Sequence, residues 1–358
     1  MYRTYRWLAA AAAGITVAGA VACTGNAAPT AATATGRAAS ITTAPAAGIT
    51  TAMASGKTTA PAAGKKTAPP APPAPAVTLR GPGPCGMTTT ALTYQHVIWI
   101  WFENHDVMGS SSAPYFNSIA SKCGVATNDH NVTHPSLPNY IAATSGTASL
   151  EQFYSDCPPS DDCSSSAPSI FGQGETWKAY EESMPSNCDQ SNTDEYATRH
   201  NPPAYYPALT ACAANDVPYS QLATDLASNK LPAFSFITPN LIDDMHDGTV
   251  AQGDAWLSSN LPTILHSPEY TSGSTVVFVT FDEGADNDGG AGENCVGNTD
   301  DSSCHVPAIV ISPSTPAGST SATLFSHYSL LATTEQLLRL PALGQAASAA
   351  TMTAAFNL

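Results

Sequence analysis

The chain has 358 residues and sets 12 Lys and Arg against 28 Asp and Glu, a formal charge of −16. All the acids follow residue 84, where five cations face 28 acids for a net of −23. A body this acidic excludes a broad basic surface for nucleic acid or anionic lipid, so any phosphate it handles is held by a metal or by local dipoles. At the N-terminus, Arg3 and Arg6 precede an apolar run from Trp7 to Ala22 broken only by Thr16, which makes residues 1–22 an export signal. The run is too short and too rich in alanine for a transmembrane span. Its end, Ala20-Val21-Ala22-Cys23, fits two outcomes: cleavage after the small-x-small triplet, or cleavage before Cys23 with lipid added to that thiol. Residues 23–84 are mostly Ala, Thr, Pro and Gly, cannot bury a face, and read as a disordered tether. Residues 85–358 are the folded body.

Within that body Val97 to Phe102 is a continuous apolar run, as expected of a strand covered on both faces in a parallel sheet. Phe234–Ile237, Thr275–Phe281 and Ala308–Ile311 are similar, and helical patterns cover Pro138–Thr144, Gln252–Leu265 and Tyr328–Leu340. This alternation predicts an α/β fold with a doubly wound, mostly parallel central sheet and helices on both faces. The stretch from Leu150 to Asn215, rich in Cys, Pro and Ser, reads as a disulfide-pinned insertion. Setting Cys23 aside leaves eight cysteines, and an even set in an exported chain predicts four disulfides. The sequential pairing closes the shortest loops among the many that eight cysteines allow.

Functional groups in open α/β sheets gather beyond the carboxyl ends of the strands. Glu103, Asn104 and His105 follow the first apolar run, and Asp282 and Glu283 follow Thr275–Phe281. Asp243, Asp244, His246 and Asp247 follow Phe234–Ile237. Carboxylates, an amide and a histidine converging from three strand ends form an oxygen-rich metal site. Ser136, in Thr133-His134-Pro135-Ser136, precedes a helix and is either a nucleophile at the positive end of the helix dipole or an ordinary N-cap.

The ordered segments WFENH, THPSLPNYIAATSG, RHNPPAYY, FITPNLIDDMHDG and VVFVTFDEG resemble the bacterial phosphoesterase family. That family contains secreted acid phosphatases, including ones acting on phosphatidylinositol 3-phosphate, and non-specific phospholipases C, and it belongs to the alkaline phosphatase superfamily. The resemblance implies that the fold is alkaline-phosphatase-like and that Ser136 attacks phosphorus. It has Glu103 and Asn104 bind the metal or, Asn104 especially, the substrate phosphate, adds Asp282 and Glu283 as metal ligands, and places His200 and His246 beside the phosphoryl oxygens or the leaving group. Two-zinc relatives place an Asp and a His four residues apart; Asp243 stands only three before His246, so one ion is expected. A hard-oxygen site suits Mg²⁺, Mn²⁺ or Ca²⁺ and leaves Zn²⁺ as an alternative. A protonated imidazole, titrating near ~6.5, would serve the leaving group at mildly acidic pH.

Further readings concern individual residues. Lys178 and Arg199 either bind substrate or take structural roles, as a solvated helix-face lysine and a partner for local acids. His134 is read as a turn residue orienting Ser136, and His305 and His327 as structural. Asp286, Asn287 and Asp288 resemble a calcium loop only loosely. The expected substrate is a small phosphomonoester or a phosphoinositide head group. The alternatives are a phospholipase C-like phosphodiesterase and a non-catalytic surface lipoprotein. The chain is expected to act as a monomer, with no nucleic-acid partner and no membrane contact beyond a lipid at Cys23.

Overall fold

A computed structural model describes residues 78–81, 83–284 and 290–358. The export signal, Cys23, nearly all of the tether and the 286–288 segment lie outside them. The strands are β1 (His96–Phe102), β2 (Gly124–Ala126), β3 (Asp129–His130), β4 (Trp177–Glu181), β5 (Asp216–Pro218), β6 (Phe234–Thr238), β7 (Thr275–Phe281), β8 (Ala308–Ile311), β9 (Thr320–Ser321) and β10 (Phe325–Ser326). The helices are α1 (Pro114–Lys122), α2 (Ser136–Ser145), α3 (Cys212–Asn215), α4 (Gln221–Ala227), α5 (Val250–Leu265), α6 (Pro268–Thr271), α7 (His327–Leu338) and α8 (Thr353–Phe356).

Eight strands form one sheet in the order β5-β4-β6-β1-β7-β8-β2-β9. The run from β5 to β7 is parallel, and β8 is antiparallel to both β7 and β2. Alternation along β1 explains the two layers. Val97, Trp99 and Trp101 point into one core with Phe234, Phe236 and residues of α2 and α7. Ile98, Ile100 and Phe102 point into the other, with Phe116 of α1 and Trp256, Leu257 and Leu261 of α5. Burying each such aromatic or aliphatic side chain is worth about 1.5–3 kcal/mol. The mostly parallel, doubly covered sheet is therefore the architecture that the apolar runs predict.

The stretch from Leu150 to Asn215 differs from the expected insertion. It supplies β4, an interior strand between β5 and β6. The signal was masked because β4 carries Lys178 and Glu181 among its apolar residues. Both side chains are accommodated by tertiary contacts: Lys178 Nζ lies 2.5 Å from Asp225 Oδ2, and Glu181, which accepts from the Thr238 hydroxyl, is raised well above the usual carboxylate range by burial. The pairing Cys85–Cys123, Cys157–Cys163, Cys188–Cys212 and Cys295–Cys304 is the sequential one. No helix among the described residues is long and apolar enough to cross a membrane.

Candidate active site

β1 and β7 run in register from His96 opposite Thr275 to Phe102 opposite Phe281, so the residues that follow, Glu103 and Asp282, emerge side by side. The backbone N–H of Asp282 donates to Phe102 O at 3.0 Å, and that of Glu103 to Asp244 O at 2.9 Å. These bonds tie the ends of β1, β7 and the loop after β6 together. Asn104 takes a left-handed conformation (φ 49°), which Asn tolerates, and its backbone N–H donates to Asp282 Oδ1 at 3.0 Å.

Ser136 opens α2, but the N-cap is Pro135 and no side chain caps the helix. The N-cap alternative for Ser136 is thus excluded. Its hydroxyl instead donates to Glu103 Oε2 at 2.9 Å. One turn further on, the Tyr140 hydroxyl donates to Glu103 Oε1. The N–H of Leu137, in the first turn of α2, donates to Asp156 Oδ1 at 2.9 Å, so this donor is taken by a side-chain carboxylate.

Glu103, Asp244 and Asp282 are all fully buried. Burial, together with the charges of Asp282 and Asp244, raises Glu103 well above the usual carboxylate range. Burial, with the Asp282 charge adding to it, raises Asp244 in the same way. Burial and the charge of Glu283 push Asp282 up to about 7. Asn104 Oδ1 and Asp282 Oδ2 are buried without a hydrogen-bond partner. Crowded carboxylates and unpartnered oxygens are a donor set that a hard cation would suit.

His200 is buried and its Nδ1 lies 3.1 Å from Asp244 Oδ2. Its Nε2 is 3.2 Å from Glu103 Oε1 without hydrogen-bond alignment, and its ring stacks on Tyr140 with centroids 5.5 Å apart. Burial and the nearby Arg199 and His246 charges lower its pKa well below the ordinary imidazole value. His200 therefore stands behind Glu103 as a neutral ring, a correction to its expected place beside the leaving group. His246 is exposed at the mouth of the cleft. Arg199 Nη2 donates to its Nε2 at 3.0 Å, which leaves the proton on Nδ1, donated to Asp247 Oδ1 at 2.8 Å.

The other expected ligands divide. Glu283 reaches the cleft, but its Oε2 is 2.5 Å from His134 Nδ1. Burial works against the His134 cation, yet the Glu283 hydrogen bond and charge outweigh it and raise the His134 pKa. Glu283 Oε2 is thus engaged by a histidine, while the carboxylate stays close enough for its charge to raise Asp282. Lys178 is brought nowhere near: it sits on β4, paired with Asp225. His327 Nε2 lies 2.6 Å from the backbone carbonyl of Asp282, and the His305 ring packs on His130. Tyr140 and Asp156 join the site without having been singled out, whereas Asp244 was read among the strand-end carboxylates and His134 as a turn residue orienting Ser136. Tyr140 had one readable signal, its place at i+4 from Ser136 on the same helix.

The resulting cleft has a volume of about 230 Å³ and is lined by Asn104, Ser136, Asp156, His246 and Glu283, among others. It is smaller than the range of about 300–1,000 Å³ typical of pockets for whole ligands, and suits a small polar group.

Residues 95–341 match the phosphoesterase family. A phosphatidylinositol-3-phosphatase from Mycobacterium tuberculosis is 30% identical over 275 residues, which cover 75% of this chain and 85% of the relative. An acid phosphatase from Aspergillus fumigatus is 28% identical over 269 residues, covering 71% of this chain and 57% of that protein. The chain thus spans under two thirds of that longer relative. Among solved structures, an alkaline phosphatase superfamily protein from Vibrio parahaemolyticus aligns with a TM-score of 0.48 at 12% identity, covering 70% of this chain and 67% of that one. The family match over most of the folded body agrees with the position of every quoted motif at or beside the cleft. The chain belongs to the phosphoesterase family, hydrolases that act on phosphoric ester bonds.

Proposed function

We propose that the protein is an exported phosphatase that hydrolyses phosphate monoesters through a phosphoserine on Ser136, with one divalent ion bound. The observation that carries this reading is the Ser136 hydroxyl in the cleft, 2.9 Å from Glu103 Oε2. Names of relatives point the same way: one is a phosphatidylinositol-3-phosphatase and several are acid phosphatases. They put phosphate esters in the substrate class. Four disulfides suit an oxidising compartment, which supports residues 1–22 as an export signal, with Cys23 a possible lipid site.

Glu103, Asn104 Oδ1, Asp282 Oδ2 and the Ser136 hydroxyl would hold the ion, with Asp244 beside them. Glu283, whose Oε2 meets His134, offers its other oxygen as the fourth expected ligand. An all-oxygen set favours Mg²⁺, Mn²⁺ or Ca²⁺ over a closed zinc site. When bound, the ion supplies charge neutralisation for the phosphoryl oxygens and a lower pKa for the serine hydroxyl. Ser136 Oγ forms the new bond to phosphorus as its proton passes to Glu103 Oε2. The bond from phosphorus to the alcohol breaks, and the departing alkoxide takes its proton from water at the open mouth of the cleft beside His246. Arg199, beside His246, adds positive charge for the phosphoryl oxygens. Water then attacks the phosphoserine, which restores Ser136 and releases phosphate.

The test is an assay of purified protein on an aryl phosphomonoester and the matching diester, with and without chelator. The reading predicts monoester turnover at least about 100-fold faster, lost with chelator and restored by one of the three ions. Faster diester turnover would replace it with the phospholipase C-like alternative, and turnover unaffected by chelator would remove the ion.

A further inference from the structure

A second and larger cleft, of about 600 Å³, adjoins the first. The two share Tyr154, and they meet along the chain at Thr133 and His134 and at Ala291 and Gly292. Gly292 has φ +84°, and an added Cβ there would stand 2.9 Å from the Tyr154 ring, so the tyrosine comes close to bare backbone where the clefts join. The larger cleft is walled by Leu150, Tyr154, Val296, Leu324, Phe325 and Tyr328, with uncharged Ser, Asn and Gln side chains completing it. Among the described residues that line it, Glu293 is the one acidic side chain and none is Lys or Arg. Leu324, 44% accessible, is the one large apolar side chain counted as exposed among the described residues, and it stands on this wall.

We infer that this cleft is the subsite for the alcohol portion of the substrate and selects an uncharged, apolar ring or chain over a polyanionic one. The inference rests on the phosphomonoesterase reading and deepens it. The small cleft accommodates the phosphoryl group, and an ester placed there directs its alcohol past Tyr154 into the larger cleft. Apolar area buried on that wall contributes binding, while a second phosphate on the alcohol meets Glu293 and no cation, within a body of net charge −23.

Steady-state kinetics on 1-naphthyl phosphate, glycerol 2-phosphate and inositol 1,3-bisphosphate test it in wild type and in Leu324→Asp and Gln345→Lys. Both positions are exposed, so neither substitution disturbs the core. Wild type should show a KM for 1-naphthyl phosphate about tenfold or more below those of the other two. Leu324→Asp should raise that KM by about tenfold and leave glycerol 2-phosphate within about twofold. Gln345→Lys should lower the KM for the bisphosphate by about threefold or more. Equal KM values for the three substrates in wild type, or a Leu324→Asp effect equal on both monophosphates, would overturn the subsite while monoester turnover keeps the phosphatase reading. Absence of turnover on all three would overturn that reading and the subsite with it.

Discussion

The carboxylate floor of the cleft and its rim are fixed by different means. Glu103 and Asp282 follow two central strands paired along seven residues, and their own backbone N–H groups extend the pairing beyond the sheet. Their side chains are fully buried. The rim residues Tyr154, Asp156 and Gly292 lie on irregular segments outside the sheet. There the covalent links Cys157–Cys163 and Cys295–Cys304, spanning 6 and 9 residues, stand in for a ladder of hydrogen bonds. On the proposed reading, reaction chemistry falls to residues anchored by the sheet and substrate choice to loops held by short crosslinks.

Substitutions on the two sides should then separate by kinetic parameter. The largest effect is expected for Ser136→Ala, a loss of about 10³-fold or more in kcat with the fold intact, checked by turnover and circular dichroism. Asp282→Asn should cost about 100-fold in rate and weaken ion binding, read by chelator competition, because it removes charge from an oxygen with no other partner. On the rim, replacing both Cys157 and Cys163 by Ser should lower stability by about 2 kcal/mol and change KM more than kcat. A kcat loss there as large as that of Asp282→Asn would erase the distinction between floor and rim.

The smallest expected effect concerns pH. Burial holds Asp129 at about 8 and Asp216 and Glu335 at about 7, all above their unfolded values. A raised carboxyl pKa gives stability that is full below the unfolded value and lost as pH rises through the folded one. The melting temperature of metal-free protein should therefore fall between about pH 6.5 and about pH 8.5. Below that window His327, held at about 4, opposes the trend, because its stability is lost as pH falls from its unfolded value. A melting temperature that rises across the window would contradict these assignments.

How far the sequence revealed this site follows the same division. Strands buried on both faces announce themselves as apolar runs, and the rule that function sits at their carboxyl ends located Glu103, Asn104 and Asp282. It did not distinguish Asp243 from Asp244. Met245, at φ 83°, helps to set the course of this loop, and only Asp244 meets His200. Nor did it show Glu283 turning to His134, since that pair joins positions 149 residues apart. β4 was hidden by Lys178, whose partner Asp225 lies on a separate helix. Such contacts depend on tertiary geometry and leave no local period to read.

The central claim, that Ser136 carries the phosphoryl group, is tested most directly by rapid acid quenching of the enzyme with a ³²P-labelled phosphomonoester, followed by peptide mapping. The account predicts label on the peptide containing Ser136 in wild type and none in Ser136→Ala, which should also have lost turnover. Near-normal turnover in Ser136→Ala, or label trapped on another residue, would contradict it.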